Sequence, residues 1–261
     1  MERVKMSLFI RDERSVLHVV ALSGGHDSTA LAFLLKEANP MVPYNYVCTP
    51  TGDELPAMFA HWRDLGERLG RRLIPIMVGT LNSVIADQNM LPNFRARFCT
   101  RILKIEPYRK FLIEQAVIGP IVSYVGLRAD EEGRAGGAYG DIDGVEMRFP
   151  LREMGFGEDE VQATLRRVEV TCPDRTDCAK CYHQRLGEWY ELWLYHRAAA
   201  LEAVDLEKKY GATFRTPGRD SWPSALEALF AEFERGRIPV VSLNRMKRER
   251  MRAGGCRVCS L

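Results

Sequence analysis

The fold is decided by the stretch Leu17-His18-Val19-Val20-Ala21-Leu22-Ser23-Gly24-Gly25-His26-Asp27-Ser28. Its first six residues form a short, almost entirely apolar run, which is typical of a strand covered on both faces. Two glycines follow, and apolar side chains then recur at helical spacing over residues 28–38. The stretch therefore predicts a buried strand, a tight turn and a helix, in that order.

The same alternation continues through the first half of the chain. Further strands are predicted at residues 44–49, 73–78 and 121–125. Helices are predicted between Pro56 and Gly70 and from Glu106 to about Val117. This pattern is typical of an α/β fold with a doubly wound, mostly parallel sheet.

The second half of the chain has a different pattern. From about residue 158 it is mainly helical, with a long helix predicted at residues 184–210 and another at 223–235. We therefore expect an α/β domain over residues 1–155 and a helical, cysteine-containing region with a basic tail over residues 156–261. Ligand sites of open α/β sheets lie at the carboxyl ends of the strands, so we expect the second part to pack there.

Composition indicates a globular cytoplasmic protein without a membrane partner. Of its 261 residues, 46% are hydrophobic and 28% are charged. Its apolar stretches are too short to span a bilayer, and the N-terminus lacks a signal-peptide core. The net charge is only +2, but residues 235–257 carry eight basic side chains and one acidic one. This run predicts either a solvated helix face or contact with nucleic acid.

The turn after the first strand has the chemistry of a phosphate-binding loop. Adjacent glycines let backbone N–H groups approach an anion, and the start of the next helix adds unpaired donors and a partial positive charge. Asp27 would repel phosphates unless a divalent cation bridged them, so its presence predicts Mg²⁺. A turn that merely connects two elements is the alternative. The predicted binding residues are Ser23, Gly24, Gly25, His26, Asp27 and Ser28.

This loop resembles the PP-loop of the adenine nucleotide alpha-hydrolase superfamily, whose members bind ATP and cut between its α and β phosphates. Three further motifs, in the same order, resemble the phosphoadenosine phosphosulfate (PAPS) reductase family within it. They are Thr51-Gly52-Asp53-Glu54-Leu55-Pro56, Cys99-Thr100-x-x-Leu103-Lys104-x-x-Pro107 and Gly126-Leu127-Arg128-Ala129-Asp130-Glu131. The resemblance covers about residues 17–185.

The resemblance implies an adenine nucleotide alpha-hydrolase-like sheet in which residues 1–155 bind the nucleotide. It implies that Thr51 and Gly52 lie near the nucleotide and that Arg128 and Arg134 face its anionic end. Arginine suits that role because its planar fork pairs with phosphate or sulfate oxygens. Lys104 is expected to join Asp27 among the catalytic residues.

Two departures from the family favour an enzyme that still uses ATP. Many sulfonucleotide reductases lack the loop aspartate, which this chain keeps as Asp27, and they carry a C-terminal Glu-Cys-Gly-x-His motif, which it lacks. A third departure concerns His26, where the family often has lysine. It leaves the neutralisation of phosphate charge open.

Four cysteines are candidate metal ligands. Cys172, Cys178 and Cys181 follow one another at short spacing, and Cys99 could complete a set of four. By number, four thiolates suit zinc or an iron–sulfur cluster equally well. The family resemblance favours a 4Fe-4S cluster, with zinc or no metal as alternatives. Cys48, on an apolar strand, is predicted to be a buried small side chain.

The last two cysteines form a separate pair. Cys256 and Cys259 lie among arginines, which lower the pKa of nearby thiols. We predict that they are catalytic and handle sulfur, by carrying a persulfide or reducing an intermediate. A zinc site shared with Cys178 and Cys181, or an inert tail, are the alternatives.

These observations lead to a first functional hypothesis. The chain would use ATP to adenylate an acceptor oxygen and release pyrophosphate, so that sulfur replaces that oxygen. It would need a sulfur donor or redox protein, and its acceptor would be a nucleic acid if the basic tail binds one. The alternatives are a sulfonucleotide reductase, which acts on adenylyl sulfate or its 3'-phosphorylated form, and a nucleotide-binding, non-catalytic subunit of a larger complex.

Overall fold

The computed structural model describes residues 8–131, 133 and 141–239. Five parallel strands form one sheet in the order β3-β2-β1-β4-β5. They are β1 (Leu17–Ala21), β2 (Asn45–Cys48), β3 (Ile74–Pro75), β4 (Ile121–Tyr124) and β5 (Val145–Arg148). The α/β fold with a parallel sheet is confirmed. Sequence patterns missed β5, whose alternating half-buried and charged side chains suit its place at the sheet edge.

Ten helices flank this sheet or follow it in the described ranges. They are α1 (His26–Ala38), α2 (Pro56–Leu69), α3 (Leu81–Gln88), α4 (Phe98–Thr100), α5 (Glu106–Ala116), α6 (Pro150–Glu153), α7 (Glu158–Arg167), α8 (Leu186–Tyr195), α9 (Arg197–Tyr210) and α10 (Leu226–Glu234). A π-helical turn, Arg101–Ile105, joins α4 to α5. None of these helices has the length and hydropathy needed to cross a bilayer.

Two of the predicted helix boundaries can be compared with the structure. Helix α2 begins at Pro56 and ends at Gly70, whose φ of 74° is left-handed, as the sequence predicted. The single long helix predicted over residues 184–210 is wrong. The backbone leaves the helical region at His196, with φ −136° and ψ 53°, and α8 and α9 meet there. Neither glycine nor proline marks this break, so the sequence offers no signal for it.

Apolar side chains cover both faces of the sheet. On one face α1, α2 and α7 pack together, and Leu31, Leu65 and Val161 join Val20 of β1 in one buried cluster. On the other face α5 packs against Val19 of β1. Neighbouring residues of β1 therefore point to opposite faces, which explains why the strand is apolar throughout.

A third cluster holds the C-terminal helices together. Trp189 of α8 is fully buried there with side chains from α9 and α10. The same cluster includes Leu81 and Ile85 of α3 and Leu103 of the π-helical turn. The helices α8 to α10 are therefore anchored to the segment that follows β3. The division into domains near residue 155 stays a prediction.

Glu207 is a buried carboxylate in this third cluster. Its oxygens accept hydrogen bonds from the backbone N–H groups of Phe214 at 2.8 Å and Leu226 at 2.6 Å. Burial raises the pKa of Glu207 from 4.5 to about 7, although these two bonds and Arg215 act in the opposite direction. The carboxylate thus connects α9 to the start of α10 and binds a proton more tightly in the folded state than in the unfolded one.

Stability should consequently depend on the charge of Glu207. A carboxyl whose pKa is raised on folding stabilises the fold below its unfolded pKa, and this contribution is lost as the pH rises through its folded pKa. The quantity to compare is the difference in free energy of unfolding between wild type and Glu207→Gln. The stability of wild type relative to this variant should fall by about 1–3 kcal/mol between about pH 4.5 and about pH 8. Urea unfolding measures it. The control is Glu227→Gln, because Glu227 is exposed. A pH-independent difference would contradict the prediction.

Candidate functional site

The predicted loop lies at the carboxyl end of β1, where the chain turns into α1. Gly24 has φ +88°, and a Cβ there would stand 2.7 Å from Trp62 Nε1 and 2.9 Å from Met58 Cε. Only glycine fits both this backbone conformation and this close approach of α2. Gly25 is the N-cap of α1 and has no capping side chain, so the first turn of the helix has no side-chain acceptor from its N-cap.

Hydrogen bonds hold the loop in this shape. Ser23 Oγ lies 3.0 Å from Ser28 Oγ, across the turn. Trp62 Nε1 donates to the Ser23 carbonyl at 2.9 Å, and His61 Nε2 lies 3.0 Å from the Gly24 carbonyl oxygen. The loop carbonyls are therefore engaged by α2. The backbone N–H groups at the start of α1 and the positive end of the helix dipole remain to meet an anion.

Asp27 is paired with Arg128 from the loop after β4. Arg128 Nη1 lies 3.2 Å from Asp27 Oδ1, and both side chains are buried. Arg128 Nε also donates to Asp130 at 2.8 Å, and Glu131 lies 3.9 Å from its Nη2. Burial alone would lower the pKa of Arg128, but the carboxylates of Asp27, Asp130 and Glu131 raise it. The guanidinium is thus held charged among three carboxylates.

This pair gives Asp27 a partner that the sequence did not predict. The sequence suggested that Asp27 implies a bridging Mg²⁺ and that Arg128 faces the nucleotide. In this structure the cation beside Asp27 is Arg128 itself, so the Asp27 charge has a counter-ion in the protein. The close packing of Gly126 on α1 sets up the contact, because a Cβ there would be 3.0 Å from Ser28 N. The roles toward Mg²⁺ and nucleotide stay predictions.

His26 has no hydrogen-bond partner for its Nδ1 among the described residues, although that atom is buried. Burial lowers the pKa of His26, and the charges of His61 and Arg128 lower it further, against a smaller opposing effect of Asp174. The imidazole is therefore neutral near pH 7. It can form a hydrogen bond to a ligand at the loop but contributes little positive charge.

The motif that follows β2, residues 51–56, contacts the loop that carries Cys178 and Cys181, here called the cysteine loop. The backbone N–H and hydroxyl of Thr51 both donate to Glu54 Oε1 at 2.7 Å, and Thr51 Oγ1 lies 3.1 Å from Cys178 Sγ. Asp53 accepts the Lys180 backbone N–H at 2.9 Å and forms a buried ion pair with the Lys180 ammonium. These contacts fasten the cysteine loop to the carboxyl edge of the sheet, beside the strand that carries the phosphate loop.

Three of the predicted metal ligands come together here. Cys99, Cys178 and Cys181 line one narrow cavity, and Thr51 and Lys104 line it with them. Burial raises the pKa of Cys99 and of Cys178, and the positive charge of Lys104 opposes that effect at both thiols. Lys104 is therefore placed to favour the thiolate form, which is the form that binds metals.

Cys172 lies apart from these three. It is buried in the cluster around α1 and α7, where burial raises its pKa to about 12.

The thiols of the cavity suit zinc or an iron–sulfur cluster chemically, and three ligands would leave one coordination position open. Within residues 8–131, 133 and 141–239, no three His, Cys, Asp or Glu side chains are arranged around a single ion position. Cys48 is buried, as predicted.

Other predicted residues are less connected to the site. Gly52 has φ +71°, and a Cβ there would be 2.9 Å from Thr80 Cγ2. Arg235 and Arg237, at the start of the basic run, pair with Glu232 at 2.6 and 3.2 Å. The remaining predicted residues, Arg134, Cys256 and Cys259, lie outside the described residues, as does the rest of the basic tail.

Some contacts of the site were not predicted. Trp62 and His61 of α2 hold the loop by hydrogen bonds. A lone aromatic residue on a helix does not indicate in the sequence that it contacts a loop. The Asp53–Lys180 pair could have been suspected, because Asp53 belongs to a recognised motif and Lys180 stands between two candidate ligands. Sequence spacing alone does not show that the two meet.

The solved structures that are similar to this chain include the following two. The first is a phosphoadenylyl-sulfate (PAPS) reductase from Candida auris in a phosphate complex, with a TM-score of 0.44 and 12% identity over 65% of this chain and 78% of that one. The second is the U34-tRNA thiolase NcsA from Methanococcus maripaludis with its 4Fe-4S cluster, with a TM-score of 0.43 and 17% identity over 94% of this chain and 84% of that one. At these identities the likeness concerns the fold alone. No protein-family model and no curated protein matches the sequence.

The buried ion pair can be tested by its effect on stability. Arg128→Met should lower the free energy of unfolding by about 3–5 kcal/mol, because the buried Asp27 would lose its counter-ion. Urea unfolding measures the loss. The matched control is Arg148→Met, since Arg148 pairs with Glu153 at 2.6 Å on the surface, where a pair contributes about 0–1 kcal/mol.

A second variant separates charge from packing. Asp27→Asn added to Arg128→Met should restore part of the lost stability, because it removes the carboxylate charge that Arg128 no longer balances. Similar losses for Arg128→Met and Arg148→Met would contradict a buried pair.

Proposed function

We propose that this chain binds ATP at the loop Ser23–Ser28 and transfers AMP to an oxygen atom of an acceptor, which sulfur then replaces. One observation carries the proposal. The phosphate loop follows β1 and the Thr51 motif follows the neighbouring β2, and Thr51 touches Cys178 of a cavity lined by three thiols. The predicted nucleotide-binding loop and the thiol cavity thus lie at the same carboxyl edge of the sheet.

The proposed reaction has two steps. In the first, the acceptor oxygen bonds to the α-phosphorus of ATP, the bond from that phosphorus to the bridging oxygen breaks, and pyrophosphate leaves. In the second, a sulfur nucleophile from a donor bonds to the acceptor atom, and AMP leaves with the original oxygen. Adenylation is useful because it converts a poor leaving oxygen into a good one.

The residues of the loop would mainly stabilise the negative charge of the phosphates. The N–H groups of the first turn of α1 and the hydroxyls of Ser23 and Ser28 would stabilise the negative charge that develops on pyrophosphate. Asp27 would hold the Mg²⁺ that accompanies ATP, and that ion would offset phosphate charge. Arg128 would then pair with phosphate oxygens, for which its planar fork is suited.

The thiols would serve the second step. Cys99, Cys178 and Cys181 would hold a 4Fe-4S cluster, with zinc as the alternative, and a cluster with an open iron position can bind sulfur. Lys104 would stabilise their thiolates. Cys256 and Cys259 are proposed to pass sulfur or electrons from a donor protein. Cys172 has a structural place in the core and is left out of this set.

One observation favours a second candidate, a sulfonucleotide reductase. Arg128 already satisfies Asp27, so this loop does not present a free carboxylate to a metal. A nucleotide without pyrophosphate would need no Mg²⁺ at that point. Such an enzyme would bind adenylyl sulfate or its 3'-phosphorylated form with its phosphate or sulfate at the helix start.

ATP chemistry is tested with the full chain, Mg²⁺, a sulfide donor and single-stranded RNA as acceptor. Asp27→Asn should reduce pyrophosphate release about 100-fold or more, because the ligand for the ion is lost. The matched control is Asp64→Asn, since Asp64 lies on the exposed face of α2 in a pair with Arg68 and should leave the rate unchanged.

Calorimetric titration with each nucleotide distinguishes the alternatives. Tight binding of adenylyl sulfate without binding of ATP would favour the reductase. ATP binding without release of pyrophosphate by the wild type would indicate a non-catalytic subunit. Equal rates for wild type and Asp27→Asn would remove Asp27 from the mechanism.

The metal site is tested by anaerobic purification followed by iron, zinc and acid-labile sulfide analysis. Wild type should contain about four iron atoms per chain. Serine at Cys99, Cys178 or Cys181 should lower that content strongly, because each removes a ligand. Cys172→Ser is the matched control and should retain the iron. Loss of iron with Cys172→Ser alone, or zinc in place of iron, would overturn the assignment of these three ligands to a cluster.

A further inference from the structure

A large groove lies along the edge of the sheet, between α2 and β3. Its cavity volume is about 860 Å³. That volume lies within the range of about 300–1,000 Å³ that is usual for ligand pockets, so the chemistry of its lining indicates the class of ligand. The side chains that give it its character are Phe59, Trp62, Arg63, Arg71, Arg72 and Met77.

The groove carries an excess of positive charge. Three arginines line it, against one glutamate, Glu67. Arg63 and Arg72 are exposed, and neither has an ion-pair partner in the described part of the chain. Arg71 donates from Nη1 to the Tyr44 carbonyl at 2.9 Å and is fixed in the wall. Two exposed guanidinium groups are therefore available to an anionic ligand.

Aromatic and apolar surfaces line the same groove. Phe59 is 46% exposed, and its ring meets Trp62 edge to face, with centroids 5.6 Å apart. Met77 is 49% exposed on the opposite wall. An exposed ring beside free arginines provides both stacking for a base and pairing for a phosphate, which is how proteins bind single-stranded nucleic acids.

We propose that this groove binds single-stranded nucleic acid, with a base on Phe59 and phosphates on Arg63 and Arg72. One end of the groove leads to the phosphate loop, because Trp62 contacts Ser23 and Gly52 lines the groove. A bound strand would thus be led toward the nucleotide site. That the strand is the acceptor rests on the proposed function, whereas the binding itself does not.

Two other occupants fit the groove less well. A peptide that added a strand to the sheet would find only two residues at this edge, and one is Pro75, which lacks an N–H group. The chain's own C-terminal tail carries Arg245, Lys247, Arg248, Arg250 and Arg252, so its charge repels the groove. A polyanion with flat, stackable groups satisfies both features of the groove.

The test is fluorescence anisotropy of a labelled single-stranded RNA of about 12 nucleotides with the full chain and no ATP. Arg63→Gln with Arg72→Gln should weaken binding about tenfold and lower the salt dependence by about 1.4 in slope, because two phosphate contacts are lost. Phe59→Leu should weaken binding about fivefold or more with the salt slope unchanged, since stacking is lost without charge.

The matched control removes two charges elsewhere. Lys110 and Arg166 are exposed on α5 and α7, and Lys110→Gln with Arg166→Gln should leave affinity within about twofold. Equal loss in this control, or no effect of the groove variants, would overturn the proposal. So would displacement of the RNA by polyglutamate at equal charge concentration, which would indicate an acidic protein partner. Because the assay contains no ATP, its failure is distinct from failure to bind or cleave ATP.

Discussion

The buried pair of Asp27 and Arg128 connects the two elements on which the candidate site depends. Asp27 stands in the first turn of α1, and Arg128 follows β4, so their contact closes the carboxyl edge of the sheet next to β1. Two buried charges are costly to desolvate, and the cost is offset only by good geometry and further hydrogen bonds. Asp130 supplies one such bond to Arg128. The charge balance of the loop is therefore set within the protein.

A second buried pair has the same role for the cysteine loop. Lys180 stands between Cys178 and Cys181, and its ammonium is held by Asp53 and by Glu202 at 2.9 Å. Asp53 belongs to the segment after β2, whereas Glu202 belongs to α9 of the C-terminal helices. The pair thus links the sheet to the helical cluster through the cysteine loop. Because Lys180 also lines the thiol cavity, a movement of α9 would change the surroundings of the thiols.

Local patterns predicted the central part of the fold well. The apolar run of β1, the glycine turn and Pro56 at the start of α2 each have a direct physical cause, and each was found where expected. Strand β5 was not predicted because an edge strand with exposed charges lacks an apolar run. The break at His196 was not predicted because neither glycine nor proline marks it in the sequence.

The candidate site was harder to predict because it depends on contacts between distant segments. The sequence placed Cys172 in one ligand set with Cys99, Cys178 and Cys181, yet the fold gathers only the last three around one cavity and buries Cys172 beside α1. The Mg²⁺ predicted beside Asp27 stays a prediction, and the sequence does not show that Arg128, 101 positions away, also lies against that carboxylate. Motifs identify residues that matter, but their partners follow from topology.

Positive charge is distributed unevenly over this surface, and that distribution separates two kinds of anion recognition. At the loop, His26 is neutral and Arg128 is balanced by carboxylates, so the proposed nucleotide would meet chiefly the backbone N–H groups and the dipole of α1. Along the groove, Arg63 and Arg72 are exposed and have no ion-pair partner among residues 8–131, 133 and 141–239. Amides at fixed positions select the geometry of one phosphate group, whereas exposed arginines hold a flexible polyanion with little demand on geometry. The two proposed sites, the loop at the carboxyl end of β1 and the groove beside β3, would thus recognise anions in different ways.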